Sequence, residues 1–128
     1  MVRKASCCCG DTYITVAGEP LVYAVCHCDN CKRRTGSAFG MNVYFDDAQI
    51  VERSGNTVTY EIRDEQQRHF CSSCGTTLYW KSAFQPEATG IAAGCFTENP
   101  LPQPGLTVAN ESMCDWLTLP NTWKTSLS

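Results

Sequence analysis

Between Ala38 and Phe45 the chain alternates, with Phe39, Met41, Val43 and Phe45 on one side and Ala38, Gly40, Asn42 and Tyr44 on the other. A period of two predicts a strand with one strongly buried face, ended by Asp46-Asp47. Earlier, Thr12-Tyr13-Ile14-Thr15-Val16 is β-branched and aromatic and runs into the turn Gly18-Glu19-Pro20. Leu21-Val22-Tyr23-Ala24-Val25 follows and leads into Cys26, which reads as a hairpin delivering a metal knuckle. A second hairpin is predicted from Ile50–Arg53 and Thr57–Ile62 around Ser54-Gly55-Asn56. Arg68-His69-Phe70 enters Cys71, and Thr76-Thr77-Leu78-Tyr79-Trp80 leaves the Cys71–Cys74 turn. Ile91-Ala92-Ala93 and Leu106–Ala109 are weaker strand candidates, while the prolines of Asn99–Gly105 exclude regular structure there.

One short helix stands out. Asp29 or Asn30 can cap a turn through Cys31-Lys32-Arg33-Arg34, and Gly36 can close it. The expected class is therefore mainly β with a minor helical turn. A length of 128 residues, with no repeat or composition break, suggests a single domain over residues 1–128.

Charge narrows the function classes. A net charge of −3 with no long basic stretch argues against a broad nucleic-acid surface. No apolar run approaches the roughly 18 residues of a membrane helix. Met1–Ser6 lacks the apolar segment of a secretory signal, so a cytoplasmic location is expected.

Cysteine changes the picture most. Seven of ten fall into three groups: Cys7 and Cys9; Cys26, Cys28 and Cys31; Cys71 and Cys74. In a reducing compartment such spacings suit a soft metal better than disulfides. Cys7-Cys8-Cys9-Gly10 and Cys71-Ser72-Ser73-Cys74-Gly75 each end in glycine, as a tight zinc knuckle requires, and together they would close a structural four-cysteine site. Cys26-His27-Cys28-Asp29-Asn30-Cys31 offers three thiolates, the ligand count of a catalytic zinc with one open position. Cys31 would lie in the first helical turn, whose positive end favours a thiolate. Lys32, Arg33 and Arg34 either offset the charge of that centre or grip an anionic substrate.

The remaining candidates have quieter expectations. In an extended segment His27 points away from Cys26 and Cys28, so a partly buried or surface position is expected rather than ligation. His69 has the same default, and Cys8 should point away from the metal of Cys7 and Cys9. Cys95 and Cys114 are expected to fill core space, though either could close the second site.

Three linked motifs carry a family resemblance. They are Cys7-x-Cys9-Gly10; Cys26-His27-Cys28-x-x-Cys31-x-x-x-Thr35-Gly36-x-x-Phe39; and Phe70-Cys71-x-x-Cys74-Gly75-Thr76-x-Leu78, with Asp115-Trp116-Leu117 later in the chain. Their order and spacing resemble the glutathione-dependent formaldehyde-activating enzymes, a family that includes centromere protein V-like proteins. The resemblance implies a β-tent fold of small antiparallel sheets. It also implies a structural zinc on Cys7, Cys9, Cys71 and Cys74 and a catalytic zinc on Cys26, Cys28 and Cys31. The implied activity is that of a carbon–sulfur lyase, joining glutathione and formaldehyde reversibly into S-hydroxymethylglutathione. Lys32, Arg33 or Arg34 would then pair with glutathione's carboxylates. This chain has Thr107 and Met113 where many members carry a histidine and a basic residue.

Two rival functions stay open at this level. A non-catalytic zinc module for protein interaction predicts a closed second site, with Cys95, Cys114 or His69 as fourth ligand. A redox sensor would use the oxidation of zinc thiolates and release its metal.

Overall fold

A computed structural model describes residues 1–63 and 65–126, with the side chain of Ser126 outside the description. Eleven strands and one α-helix are found among them. The strands are β1 (Val2–Ser6), β2 (Tyr13–Ala17), β3 (Val22–Cys26), β4 (Gly40–Asp46), β5 (Ile50–Ser54), β6 (Thr57–Ile62), β7 (Gln66–Cys71), β8 (Thr77–Ser82), β9 (Gln85–Ala92), β10 (Leu106–Val108) and β11 (Lys124–Ser126). The helix, α1, is Asp29–Thr35. The mainly β expectation holds. Among the described residues no helix is long and apolar enough to cross a membrane.

The chain forms two compact units. The first comprises Met1–Val22 and Val43–Leu101, the second Tyr23–Asn42 and Pro102–Ser128.

In the first unit β1 and β5 flank β2 in an antiparallel sheet, and a second ladder runs β4-β9-β8-β7-β6. Both predicted hairpins fail here. β2 pairs with β1 and β5, whereas β3 takes β10; β5 pairs with β2, whereas β6 pairs with β7. Each proposed turn is thus a corner where the chain changes sheets. At Gly55 (φ 93°) a Cβ would lie 2.2 Å from the Asp11 carbonyl oxygen, so only glycine permits that corner. β1 had no strand signal in the sequence, because Val2-Arg3-Lys4-Ala5-Ser6 carries little apolar patterning.

β4 also departs from its one-faced reading, for Val43, Tyr44 and Phe45 are all buried. Phe45 packs near Phe96, with centroids 6.3 Å apart. Tyr44 lies edge-on to Trp80 at 6.3 Å, and its hydroxyl accepts the indole N–H at 3.0 Å. That bond satisfies the polar tips of two large buried rings, which lets both faces of β4 enter a core.

The second unit is smaller and partly parallel. β10 lies parallel to both β3 and β11, with Thr107 opposite Val25 and Thr125, which corrects the expectation of antiparallel sheets alone. This ladder fixes the strand that ends in Cys26, and α1 begins three residues later.

Candidate functional site

Each unit carries one cysteine group. In the first, Cys7, Cys9, Cys71 and Cys74 bring their sulfurs within 4.8 Å of one another. Two similar turns achieve this. The Cys7 amide donates to the Thr12 carbonyl at 3.0 Å, and the Cys71 amide to the Thr76 carbonyl at 2.9 Å. Gly10 and Gly75, with φ of 83° and 81°, close the turns by donating to the carbonyls of Cys7 and Cys71. The first cysteine of each turn is buried and the second exposed. Thr12 N–H reaches Cys7 Sγ at 3.3 Å, while the amides of Ser73 and Cys74 reach Cys71 Sγ at 3.4 and 3.5 Å. Cys8 N–H donates to Thr76 Oγ1 at 3.1 Å, tying the turns together, while Cys8 itself is exposed and outside the group.

The spacing suits zinc. Zn–S bonds of about 2.3 Å imply tetrahedral S–S edges of about 3.8 Å, and Cys9 Sγ lies 3.6 Å from Cys7 Sγ and 3.7 Å from Cys71 Sγ. Protonation tells the same story. The Thr76 hydroxyl, then its backbone, lowers Cys74 to about 5. Burial raises Cys7, but hydrogen bonds from Thr12 outweigh it and leave it lowered to about 7. A backbone bond at Asp11 lowers Cys9, yet burial and its three neighbouring thiols push it up to about 12. Thiols this close cannot all ionise unless a cation shares the site.

The second unit gathers Cys26, Cys28 and Cys31 within the same radius. Cys114, in the same unit, is not part of the group. Nor do Cys95, His27 or His69 belong to it, and both Cys95 and Cys114 are half-buried rather than core-filling. The cap of α1 differs from the expected Asp29 or Asn30: it is Cys28, whose Sγ accepts the Cys31 amide at 3.3 Å. Gly36 ends the helix as anticipated, with φ of 64° and its amide on the Lys32 carbonyl at 2.7 Å. Hydrogen bonding with Cys26, then with Asn42 and Cys28, lowers Cys31 to about 5 against the effect of burial, and the charge of Arg34 assists. Cys26 moves the other way, through that contact with Cys31 and through burial.

The three cations have separate fates. Lys32 Nζ donates to the Ser112 carbonyl, and Arg34 Nη2 donates to Asn42 Oδ1 at 2.7 Å. Arg33 is exposed.

His27 is fully buried, not partly buried or at the surface. Its Nε2 lies 2.9 Å from Thr107 Oγ1, and Thr107 Oγ1 donates onward to Asn110 Oδ1 at 2.8 Å. A hydroxyl has one proton, so Thr107 must accept from His27, which places the imidazole proton on Nε2. Burial, with the charge of Lys32, lowers the His27 pKa and keeps it neutral. Sequence reasoning missed this network because Thr107 lies 80 positions away. Thr107, Asn110 and Met113 also line a cavity of about 320 Å³ with Leu117 and Trp123. His69 stacks on Tyr79 with centroids 4.6 Å apart, and its Nδ1 lies 3.3 Å from Thr59 Oγ1.

Residues 2–112 match the family model described as glutathione-dependent formaldehyde-activating enzyme. The chain belongs to that family. A putative glutathione-dependent formaldehyde-activating enzyme of Halomonas elongata is 25% identical over 132 residues, covering 93% of this chain and 82% of the relative. An uncharacterized lyase of Schizosaccharomyces pombe is 29% identical over 77 residues, covering 60% of this chain and 56% of its own length. The crystal structure of a Rhodobacter sphaeroides protein aligns with a TM-score of 0.62 at 23% identity, covering 77% of this chain and 91% of that one. That likeness shows that the two chains share a mainly β fold.

Proposed function

We propose that this family member is a two-zinc carbon–sulfur lyase of a reducing, cytoplasmic compartment, acting on a thiol adduct such as that of glutathione and formaldehyde. Cys7, Cys9, Cys71 and Cys74 would hold the structural ion, and Cys26, Cys28 and Cys31 the catalytic one. The observation that carries this reading is the inequality of the groups: four thiols in one unit, three in the other. Family membership and the names of the two relatives support the reaction class.

In the forward direction a thiolate lone pair forms the C–S bond to the aldehyde carbon, and the carbonyl π electrons take up a proton as the hydroxyl. Cys26, Cys28 and Cys31 would hold the zinc, which would lower the pKa of a bound thiol or polarise an aldehyde oxygen. The chain contributes the rest. Arg33 is the cation of Lys32, Arg33 and Arg34 best placed to meet a substrate carboxylate, since the other two hold protein acceptors. His27, neutral and fixed by Thr107, stiffens the link between Cys26 and Cys28.

The test is to mix zinc-loaded protein with glutathione and formaldehyde and follow adduct formation by NMR exchange. Acceleration above the spontaneous rate, lost in Cys28→Ser, is expected. No acceleration with both zincs bound would reject this substrate pair and favour a zinc module for protein interaction.

A further inference from the structure

Two of the cations after Cys31 are committed within the protein, and one commitment reaches a sulfur. Arg34 Nη2 donates to Asn42 Oδ1 at 2.7 Å, and Asn42 Nδ2 donates to Cys31 Sγ at 3.5 Å. A carboxamide has one accepting and one donating end, so the guanidinium on its oxygen aims its N–H₂ at the thiol. Local structure enforces the arrangement. Arg34 stands three positions after Cys31 on α1, hence on a neighbouring part of the same face. Gly40 sits in the angle. A Cβ there would lie 2.8 Å from Arg34 Nη2, 3.0 Å from Cys31 Cβ and 3.2 Å from Asn42 Oδ1. A larger residue would press on all three groups, and the nearest, the tip of Arg34, would have to shift.

We propose that Arg34 and Asn42 are positioning residues of the second metal site, with Arg34 orienting the Asn42 amide so that it caps Cys31 Sγ. The inference rests on the reading that Cys26, Cys28 and Cys31 hold zinc. A hydrogen bond to a thiolate stabilises the anion and withdraws charge from it. Cys31 then donates less than it would uncapped, as Cys28 does under the Cys31 amide, and a metal held there keeps more of its electrophilic character. This separates the cations by role: Arg34 acts through Asn42 on the metal site, and only Arg33 is left for substrate.

Zinc competition against a chromophoric chelator tests this on the full chain. Asn42→Leu and Arg34→Gln should each weaken the second zinc about tenfold, as outer-layer changes at metal sites commonly do. The first zinc should be unaffected in the same molecules. The double variant should lose no more than the weaker-binding single variant, because the two residues act in series. Arg34→Lys should recover part of the loss, and Arg33→Gln should leave both zinc affinities where they are. In cobalt-substituted protein, the sulfur-to-metal charge-transfer band should shift to lower energy in Asn42→Leu and Arg34→Gln only. A purely structural role would lower the unfolding midpoint of the chelated protein without moving that band. An unmoved band, or additive losses, would overturn the proposal while leaving the zinc reading intact. A wild-type chain that binds only one zinc would overturn both.

Discussion

The two cysteine groups are built by different means. Around Cys7 and Cys71, backbone amides from two glycine-closed turns supply the hydrogen bonds, apart from those of Thr76. In the second group one backbone amide, that of Cys31, reaches Cys28 Sγ, while Cys31 Sγ is met by a carboxamide from β4 that an arginine holds. Backbone donors come with the fold and leave little to tune. Side-chain donors cost rotamer entropy to hold, and they can set the electronic character of one ligand. Under the proposed function the contrast separates a staple from a reactive centre by ligand count and by what surrounds the sulfurs.

The sharpest way to break the comparison is to remove one cysteine from each group. Cys71→Ser should abolish cooperative folding at ordinary temperature, since the four-cysteine site joins segments more than sixty positions apart. Cys28→Ser should leave the circular dichroism and unfolding of the first unit close to wild type, while one zinc and the lyase activity are lost. Equal damage from both would erase the distinction between staple and reactive centre.

A smaller effect probes what stabilises the second unit besides metal. Thr107→Val strands the His27 N–H in a fully buried position, at a cost of about 1–3 kcal/mol. Urea unfolding should show that loss with the second zinc present or removed. A loss seen only with zinc bound would mean that the His27 network serves the metal alone.

The smallest expected effect lies in the first unit, away from its cysteines. Lys81 pairs with Asp47 at 2.6 Å, and Thr89 Oγ1 donates to the same carboxylate at 2.7 Å. Burial works against ionisation, but Lys81 and Thr89 outweigh it and hold Asp47 below the usual carboxylate range. A depressed carboxylate contributes stability above its unfolded pKa, and that contribution disappears as pH falls through the lower folded value. Both side chains are about one-third exposed or more, so Lys81→Ala should cost only about 0.2–1 kcal/mol near pH 7. The difference from wild type should vanish in strong acid, with the zinc count unchanged.

These contrasts also mark how far the sequence was legible. The cysteine groups were readable because ligand spacing within a turn is local, and Gly10, Gly36 and Gly75 punctuate those turns as their positive φ requires. Strand positions were mostly readable too, from β-branched and aromatic runs. Partnerships were not. The turns at Gly18 and Gly55 look alike whether the next strand folds back or changes sheet, because register depends on residues far away. The burial of His27 depends on Thr107, and the exclusion of Cys114 from the second group depends on where its loop runs. The Arg34–Asn42–Cys31 chain was hidden for the same reason: Asn42 reads as one position in an alternating strand until the helix is laid beside it.

Zinc K-edge absorption spectroscopy of protein carrying two zincs tests the central claim most directly. One closed and one open site should give an average of about 3.5 sulfurs and 0.5 oxygen or nitrogen neighbours per zinc, with Zn–S near 2.3 Å. Added glutathione should then raise the sulfur count toward four. Four sulfurs at both ions before any thiol is added would contradict the account, because the second site would already be closed.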